Sequence, residues 1–323
     1  MLDRYGRVIN YLRISVTDRC NLRCCYCMPE GVQDVGLKNI LTFEEIWEIV
    51  RTGVSLGITH IRITGGEPLV RKDCVDLIRG IREIPGVETI TMTTNGVLLG
   101  NYAKQLKEAG VDGVNISLDT LDPEEFFKIT GKRELQEVLA GIRAAKTAGL
   151  PVKLNAVNRK ELDPIPLVRY AQEENLPIRF IEMMPVGYGK KYVGRSNEEL
   201  RETLEAVCGN AECMTNREEL SRMGSGPAVY YQFSDLKVPV GFISAIHGKF
   251  CDTCNRVRLT AEGYLKLCLC YDEGEDLRRV LREGEKENLR TIMEQTIFRK
   301  PAAHCFEHPA EMTETHEMVK IGG

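Results

Sequence analysis

No apolar run in this 323-residue chain approaches the roughly 18 residues that a membrane-spanning helix requires. The opening Met1-Leu2-Asp3-Arg4 holds no apolar signal region, so the expected location is the cytoplasm, with no membrane partner. An excess of either charge is also lacking. Lys and Arg total 43 against 47 Asp and Glu, a formal net charge of −4. That balance excludes a whole-surface attraction to nucleic acid or to an anionic bilayer, so any anionic ligand must be held by a local basic cluster. Long repeats and low-complexity tracts are missing as well. With 43% hydrophobic and 28% charged residues, the composition excludes disordered, collagen-like and coiled-coil proteins. The length fits about two domains, or one large α/β barrel with an extension, and is ample for a buried core.

What the chain does have is twelve cysteines, unusual for a reducing compartment. A disulfide framework is not expected there, whereas clustered thiols often bind metal or carry redox chemistry. Cys20, Cys24 and Cys27 follow a strand-like run with spacing C-x3-C-x2-C. Cys25 interrupts them, but neighbours on an extended chain point to opposite sides, so Cys25 is read as a non-ligand. Thiolates suit zinc and iron–sulfur centres. A structural zinc wants four protein ligands, while a reactive centre keeps one position open. The second cluster is Cys251-x2-Cys254, with Cys268 after thirteen residues and Cys270 beyond it. A four-cysteine zinc ribbon is the alternative there. Cys74, Cys208, Cys213 and Cys305 stand alone and are expected to be core or surface thiols.

Six strand-like runs, at 11–16, 60–63, 88–92, 113–118, 151–157 and 178–183, alternate with helical stretches. The stretch 42–57 opens with Thr42 and has Glu45 three residues on, a capping box. The stretch 134–149 carries Leu135, Val138, Leu139 and Ile142 at helical spacing and stops at Gly149 before Pro151. Six such units in series predict a parallel sheet whose runs are apolar on both faces. They are too few for a closed eight-unit barrel, which leaves an open or partial barrel or a doubly wound sheet. In either, the residues after each strand gather at one edge. Here they read Thr64-Gly65-Gly66-Glu67-Pro68, Thr93-Thr94-Asn95-Gly96, Ser117-Leu118-Asp119, Asn155 and Glu182-Met183-Met184-Pro185. Turns use Gly, Asn and Asp in any case, but so many polar turns on one rim point to a site. From about residue 210 the rhythm breaks into a loop at 223–227, strands at 229–233 and 238–245, and a polar helix at 277–295. The expected division is 1–210, with the first cysteine cluster, and 211–323, with the second, docked on the open rim or side of the sheet.

Arg13, Arg62, Lys153 and Arg179 sit in four different strands, and His60 shares the face of Arg62. An unpaired charge inside a parallel strand is costly, which favours a role in holding an anion. Arg256 and Arg258, two apart beside the second cluster, point the same way if extended. Guanidinium groups suit bidentate phosphate contacts.

The run Cys20-x3-Cys24-x-Tyr26-Cys27, with Gly65-Gly66-Glu67-Pro68 after the second strand, resembles the radical S-adenosylmethionine superfamily. Further matches extend over essentially the whole chain. They include Asp18-Arg19-Cys20-Asn21-Leu22-Arg23, Tyr26-Cys27-Met28-Pro29, Arg62-Ile63-Thr64-Gly65-Gly66, Cys254-Asn255-Arg256-Val257-Arg258, Cys268 and the terminal Gly322-Gly323. Together these resemble the branch that cyclises GTP in molybdenum cofactor biosynthesis. The resemblance implies an incomplete (β/α)6 barrel with a C-terminal region covering the open side. It implies two four-iron four-sulfur clusters, one on Cys20, Cys24 and Cys27 and one on Cys251, Cys254 and Cys268, each with an open iron. The first would cleave S-adenosylmethionine reductively to methionine and a 5'-deoxyadenosyl radical. That radical would take a hydrogen from ribose C3' of GTP, and C3' would attack guanine C8 to give 3',8-cyclo-7,8-dihydro-GTP.

The resemblance assigns the chemistry to Cys20, Cys24, Cys27, Arg256 and Arg258. It assigns S-adenosylmethionine to Tyr26, Gly66, Glu67, Ser117, Asn155 and Met184, with Met183 the rival of Met184. It assigns GTP to Arg13, Arg62, Thr93, Lys153, Arg179, Arg256, Val257 and Arg258, with the second cluster holding the guanine edge and the Gly322-Gly323 tail reaching into the site. The implied partners are cyclic pyranopterin monophosphate synthase downstream, an electron donor such as flavodoxin or ferredoxin, and a second copy of the chain in a homodimer. Two other classes compete: a non-catalytic iron–sulfur electron carrier, which needs neither the Gly-Gly-Glu-Pro turn nor a basic pocket, and a zinc-stabilised binding protein.

Overall fold

The computed structural model describes every residue except 32–35, 193, 225, 285 and 323, so the Gly323 half of the expected tail lies outside the described residues. The strands are β1 (Tyr11–Ser15), β2 (His60–Thr64), β3 (Thr89–Thr94), β4 (Gly113–Ser117), β5 (Val152–Asn158), β6 (Ile178–Glu182), β7 (Ala211–Cys213), β8 (Val229–Phe233), β9 (Val240–Ile243), β10 (Arg256–Leu259), β11 (Tyr264–Lys266) and β12 (Gly274–Asp276). Between β1 and β6 run α1 (Phe43–Ser55), α2 (Cys74–Arg82), α3 (Leu99–Glu108), α4 (Pro123–Thr130), α5 (Leu135–Thr147) and α6 (Ile165–Glu173). Beyond β6 come α7 (Asn197–Cys208), α8 (Arg217–Arg222), α9 (Leu277–Arg282) and α10 (Leu289–Phe298).

Local chemistry sets several of these boundaries. Thr42 and Glu45 close the reciprocal capping box that starts α1. α5 buries Leu135, Val138 and Ile142 on one face. The polar helix expected over 277–295 is instead two helices, α9 and α10. Gly284, at φ +89°, takes a left-handed conformation that ends the first.

Strands β1 to β6 pair in sequence order, all parallel. The C-terminal region does more than dock on this sheet. β9 pairs parallel with β6, and β10 pairs parallel with β1, so the sheet runs on across residue 210 at one edge and is extended at the other. Antiparallel strands finish each edge, and the order is β12-β11-β10-β1-β2-β3-β4-β5-β6-β9-β8-β7. That order is linear, so the sheet is not closed. Even so, Ile243 of β9 and Arg256 of β10 border one cavity together with Arg62 and Thr93 of the middle strands. The sheet therefore curls into an incomplete α/β barrel around an interior space.

The expectation of two apolar faces is corrected. Leu12, Ile14, Ile61, Ile63, Val114, Ile116, Leu154 and Phe180 form the core beneath the helices. The alternate positions, among them Arg13, Arg62, Asn115, Lys153 and Arg179, turn inward. The reason is that this barrel encloses a cavity rather than layers of side chains, so only its outer face needs to be oily.

Candidate active site

Cys20, Cys24 and Cys27 lie in the loop after β1 and border a cavity with Gly65, Gly66 and Met184. The loop is tightly folded: the backbone N–H groups of Cys27 and Met28 both donate to Cys24 O, at 2.9 Å each. Arg23 N to Thr130 O (2.7 Å) and Cys25 N to Ile129 O (2.8 Å) fasten it to the end of α4. The turn after β2 clamps the other side, with Gly66 N donating to Thr17 O (2.7 Å) and Glu67 N to Arg19 O (2.8 Å). A Cβ at Gly66 would stand 2.4 Å from Arg19 O, so only glycine allows this approach. Burial pushes the Cys20 thiol up to about 11 and the Cys27 thiol up to about 12, and lifts Cys24 well above the usual range. Neighbouring thiols add to the effect at Cys24 and Cys27. Such thiols ionise only beside a strong cation, which is what a metal centre provides. Cys25 does not border the cavity; Arg159 Nη1 lies 3.5 Å from its sulfur.

Glu67, which the resemblance assigns to S-adenosylmethionine, is tied to its own chain in the structure. Its carboxylate is fully buried and accepts from Leu69 N (3.2 Å), Thr94 Oγ1 (2.8 Å) and Asn95 N (2.7 Å). Its oxygens are spent on joining the β2 turn to the end of β3. Burial pushes its carboxyl up to about 7 against those three donors. Asp119 was noted only as a turn residue. It accepts from Tyr26 Oη at 2.8 Å and from Val157 N at 2.8 Å, bracing the cysteine loop against β5. Only the spatial meeting of two distant turns reveals that role.

Tyr26, Thr93, Ser117, Val157, Met184 and Met318 border both this cavity and a second one, so the two adjoin. Cys251, Cys254 and Cys268 line the second cavity, as do Arg13, Arg62, Arg179, Arg256 and Arg258. Register explains the basic cluster: Arg258 stands opposite Arg13, and Arg13 opposite Arg62, on adjacent strands. Burial first, then the neighbouring guanidiniums, holds Arg13 well below its ordinary value and brings Arg258 down to about 10. Lys153 falls to about 8, from burial and then from Arg179 and Arg62. Mutual repulsion of this kind is relieved by a bound polyanion. Arg179 is aimed by Asn155 Oδ1 (2.9 Å to Nε) and Asn115 Oδ1 (2.6 Å to Nη2). Gly241 makes room for it, since a Cβ there would stand 2.9 Å from Arg179 Cγ. Asn155 borders the cavity, but its amide oxygen is engaged in this contact. Val257 is corrected. Its side chain belongs to the core on the outer face, on the opposite side of β10 from Arg256 and Arg258.

At the second triad, burial would push Cys254 up, but Arg256 and Lys300 outweigh it and bring the thiol to about 7. Two braces here were not visible in the sequence. Arg7, ion-paired with Asp3 at 2.6 Å, donates to Cys251 O (2.9 Å), Ala302 O (2.8 Å) and Pro301 O (2.6 Å). Buried Lys300 donates to Leu267 O. Cys305 does not stand alone: its sulfur is 3.1 Å from that of fully buried Cys270. Gly322 O accepts from Arg258 Nη1 at 2.5 Å, and Lys320 pairs with Asp18 at 2.9 Å, so the described end of the tail lies inside the barrel mouth.

Each triad offers three thiols, a donor set that fits an iron–sulfur cluster. Among the described residues, the three metal-ligating side chains whose donor atoms lie within 4.8 Å of one another are Asp272, Glu314 and His316.

The unclosed barrel with a thiol-bearing loop after its first strand defines a radical S-adenosylmethionine fold, and residues 14–164 match the radical SAM superfamily. Residues 176–306 match Molybdenum Cofactor Synthesis C. The structure of Streptococcus suis SuiB bound to S-adenosylmethionine resembles this one with a TM-score of 0.65 and 15% identity, over 97% of this chain and 77% of that one. The GTP 3',8-cyclase of Clostridium perfringens strain 13 is 42% identical over 330 residues, covering 100% of both chains. Those of Petrotoga mobilis and Thermodesulfovibrio yellowstonii are 43% and 44% identical, also over 100% of both chains. The chain belongs to the GTP 3',8-cyclase family. Among the described residues, no helix is long and apolar enough to cross a membrane.

Proposed function

We propose that this protein is a GTP 3',8-cyclase: it joins ribose C3' to guanine C8 of GTP at the expense of S-adenosylmethionine, the first step of molybdenum cofactor biosynthesis. The observation that carries this reading is a pair of adjoining cavities, one bordered by the first thiol triad and the other by the second triad together with a cross-strand row of cations. Cys20, Cys24 and Cys27 hold one iron–sulfur cluster, and Cys251, Cys254 and Cys268 hold a second. Reduced and bound to S-adenosylmethionine, the first supplies one-electron cleavage of the sulfonium and hence hydrogen abstraction from the ribose.

The chain's own groups do the positioning. Gly66 lets S-adenosylmethionine approach the backbone, Ser117 offers a hydroxyl, Met184 gives an apolar contact, and Tyr26 is held by Asp119. Arg13, Arg62, Lys153, Arg179, Arg256 and Arg258 take up the triphosphate, with Thr93 beside Arg62 (3.4 Å). The enclosed wall keeps water and competing C–H bonds from the reacting atoms, and fixed geometry contributes through proximity. A flavodoxin or ferredoxin as reductant, a cytoplasmic homodimer, and delivery of product to cyclic pyranopterin monophosphate synthase complete the reading.

The test is anaerobic turnover after reconstitution with iron and sulfide. With reductant, S-adenosylmethionine and GTP, 5'-deoxyadenosine should form in step with GTP loss. Cys24→Ser should abolish cleavage of S-adenosylmethionine. Cys254→Ser should keep some cleavage but yield no cyclised product. Each variant should lose one cluster, about four irons. Zinc in place of iron, or identical behaviour of the two variants, would sink the proposal.

A further inference from the structure

Part of the second cavity's wall differs in character from the rest, although Arg256 stands over Phe250, 4.9 Å from its ring centroid. Phe250, Leu267, Leu269 and Phe306 border it beside the second thiol triad. An apolar, aromatic surface suits a planar base rather than a phosphate. In that wall sits one polar side chain that the site description has not used. His304 is 7% exposed, and its Nε2 has no hydrogen-bond partner. The ring is held in place. It stacks on Phe306 with centroids 4.4 Å apart and 28° between planes. Its backbone N–H donates to Cys251 Sγ at 3.5 Å, and that of Cys305 to Cys270 Sγ at 3.2 Å. Phe306 N donates to Nδ1 at 3.4 Å, and on that contact the proton is assigned to Nε2.

A buried N–H with no acceptor is costly, and a ligand acceptor removes that cost. Guanine presents two acceptors, O6 and N7, on one edge, where adenine replaces O6 with an amino donor. We infer that His304 is the residue of this chain that recognises the guanine base, its Nε2–H donating to the O6/N7 edge. The inference rests on the GTP-cyclase reading and adds the residue that selects the base. His304 acts in binding and takes no part in the radical steps.

The experiment measures equilibrium binding to the anaerobically reconstituted protein, with three nucleotides: GTP, 7-deaza-GTP, which lacks N7, and the 2-aminopurine ribonucleoside triphosphate, which lacks O6. His304→Phe keeps the stack on Phe306 and removes the donor. It should weaken GTP about tenfold, the size of one lost hydrogen bond. The penalty should vanish for whichever analogue already lacks the acceptor, a cycle that isolates the contact. His304→Gln, which keeps an N–H donor, should recover most of the affinity, and iron content should stay at the wild-type level in both variants. An equal penalty for all three nucleotides, no penalty for GTP, or loss of iron in a folded His304→Phe protein overturns the assignment. Wild-type protein that fails to bind GTP overturns the cyclase reading and this inference together, whereas tight GTP binding with no effect at His304 overturns this inference alone.

Discussion

The hydroxyl of Tyr26 donates to Asp119 Oδ2 at 2.8 Å, joining the cysteine loop to the rim of the barrel 93 residues further along the chain. Both residues are part-buried, and desolvation raises both groups above their ordinary values. Asp119 Oδ1 is also filled, by Val157 N at 2.8 Å. In Asp119→Asn one of these two donors faces an amide N–H instead of an oxygen. We expect a cost of about 1–3 kcal/mol and a looser Tyr26. S-adenosylmethionine affinity, measured by equilibrium dialysis, should fall about tenfold with unchanged iron. Unchanged affinity would show that Tyr26 needs no brace.

Arg62 ends the cross-strand row Arg258–Arg13–Arg62, in register with Arg13. Its guanidinium stands over the Tyr11 ring, 5.7 Å from the centroid. Arg62→Ala should weaken GTP binding by about tenfold or more while leaving guanosine nearly unaffected, since a buried charge-assisted bond is worth about 1.5–3 kcal/mol. Ligand-induced shifts in melting temperature give the comparison. A parallel loss for guanosine would place Arg62 at the base instead.

Glu67 titrates at about 7 in the folded chain, against an ordinary 4.5, because burial outweighs its three donors. The folded state therefore holds its proton more tightly than the unfolded state. The associated stability is complete below pH 4.5 and is lost as pH rises through 7. Relative to Glu67→Gln, the wild type should lose up to about 3 kcal/mol over that window. Denaturant unfolding of both proteins between pH 4.5 and 8 measures the difference. A difference that does not change with pH would contradict the assignment.

Gly66→Ala places a Cβ 2.4 Å from Arg19 O and 2.9 Å from Asp18 O, both backbone atoms that cannot swing aside. The turn must retreat from the cysteine loop, at a cost of about 1–3 kcal/mol. The reconstituted variant should bind S-adenosylmethionine poorly. Gly100→Ala, with no atom within 4 Å of the new Cβ, is the control expected to behave as wild type.

The sequence by itself determined the six βα units, the capping box at Thr42 and Glu45, and both thiol triads with their spacing. Each of these is written within a short stretch, where period, caps and spacing act locally. Folding alone decided that β9 and β10 extend the sheet at its two ends, because strand pairing joins residues far apart in the chain, Ile178 with Val240 and Tyr11 with Arg256. Folding also turned Arg13, Arg62 and Arg258 into one inward row, spent the carboxylate of Glu67 on backbone donors, sent Val257 into the outer core, and brought Asp119 to Tyr26 and His304 to the second triad. A strand alternates its faces with period two. Which face meets the helices and which encloses the cavity is set only when the sheet curls, and no local pattern carries that choice.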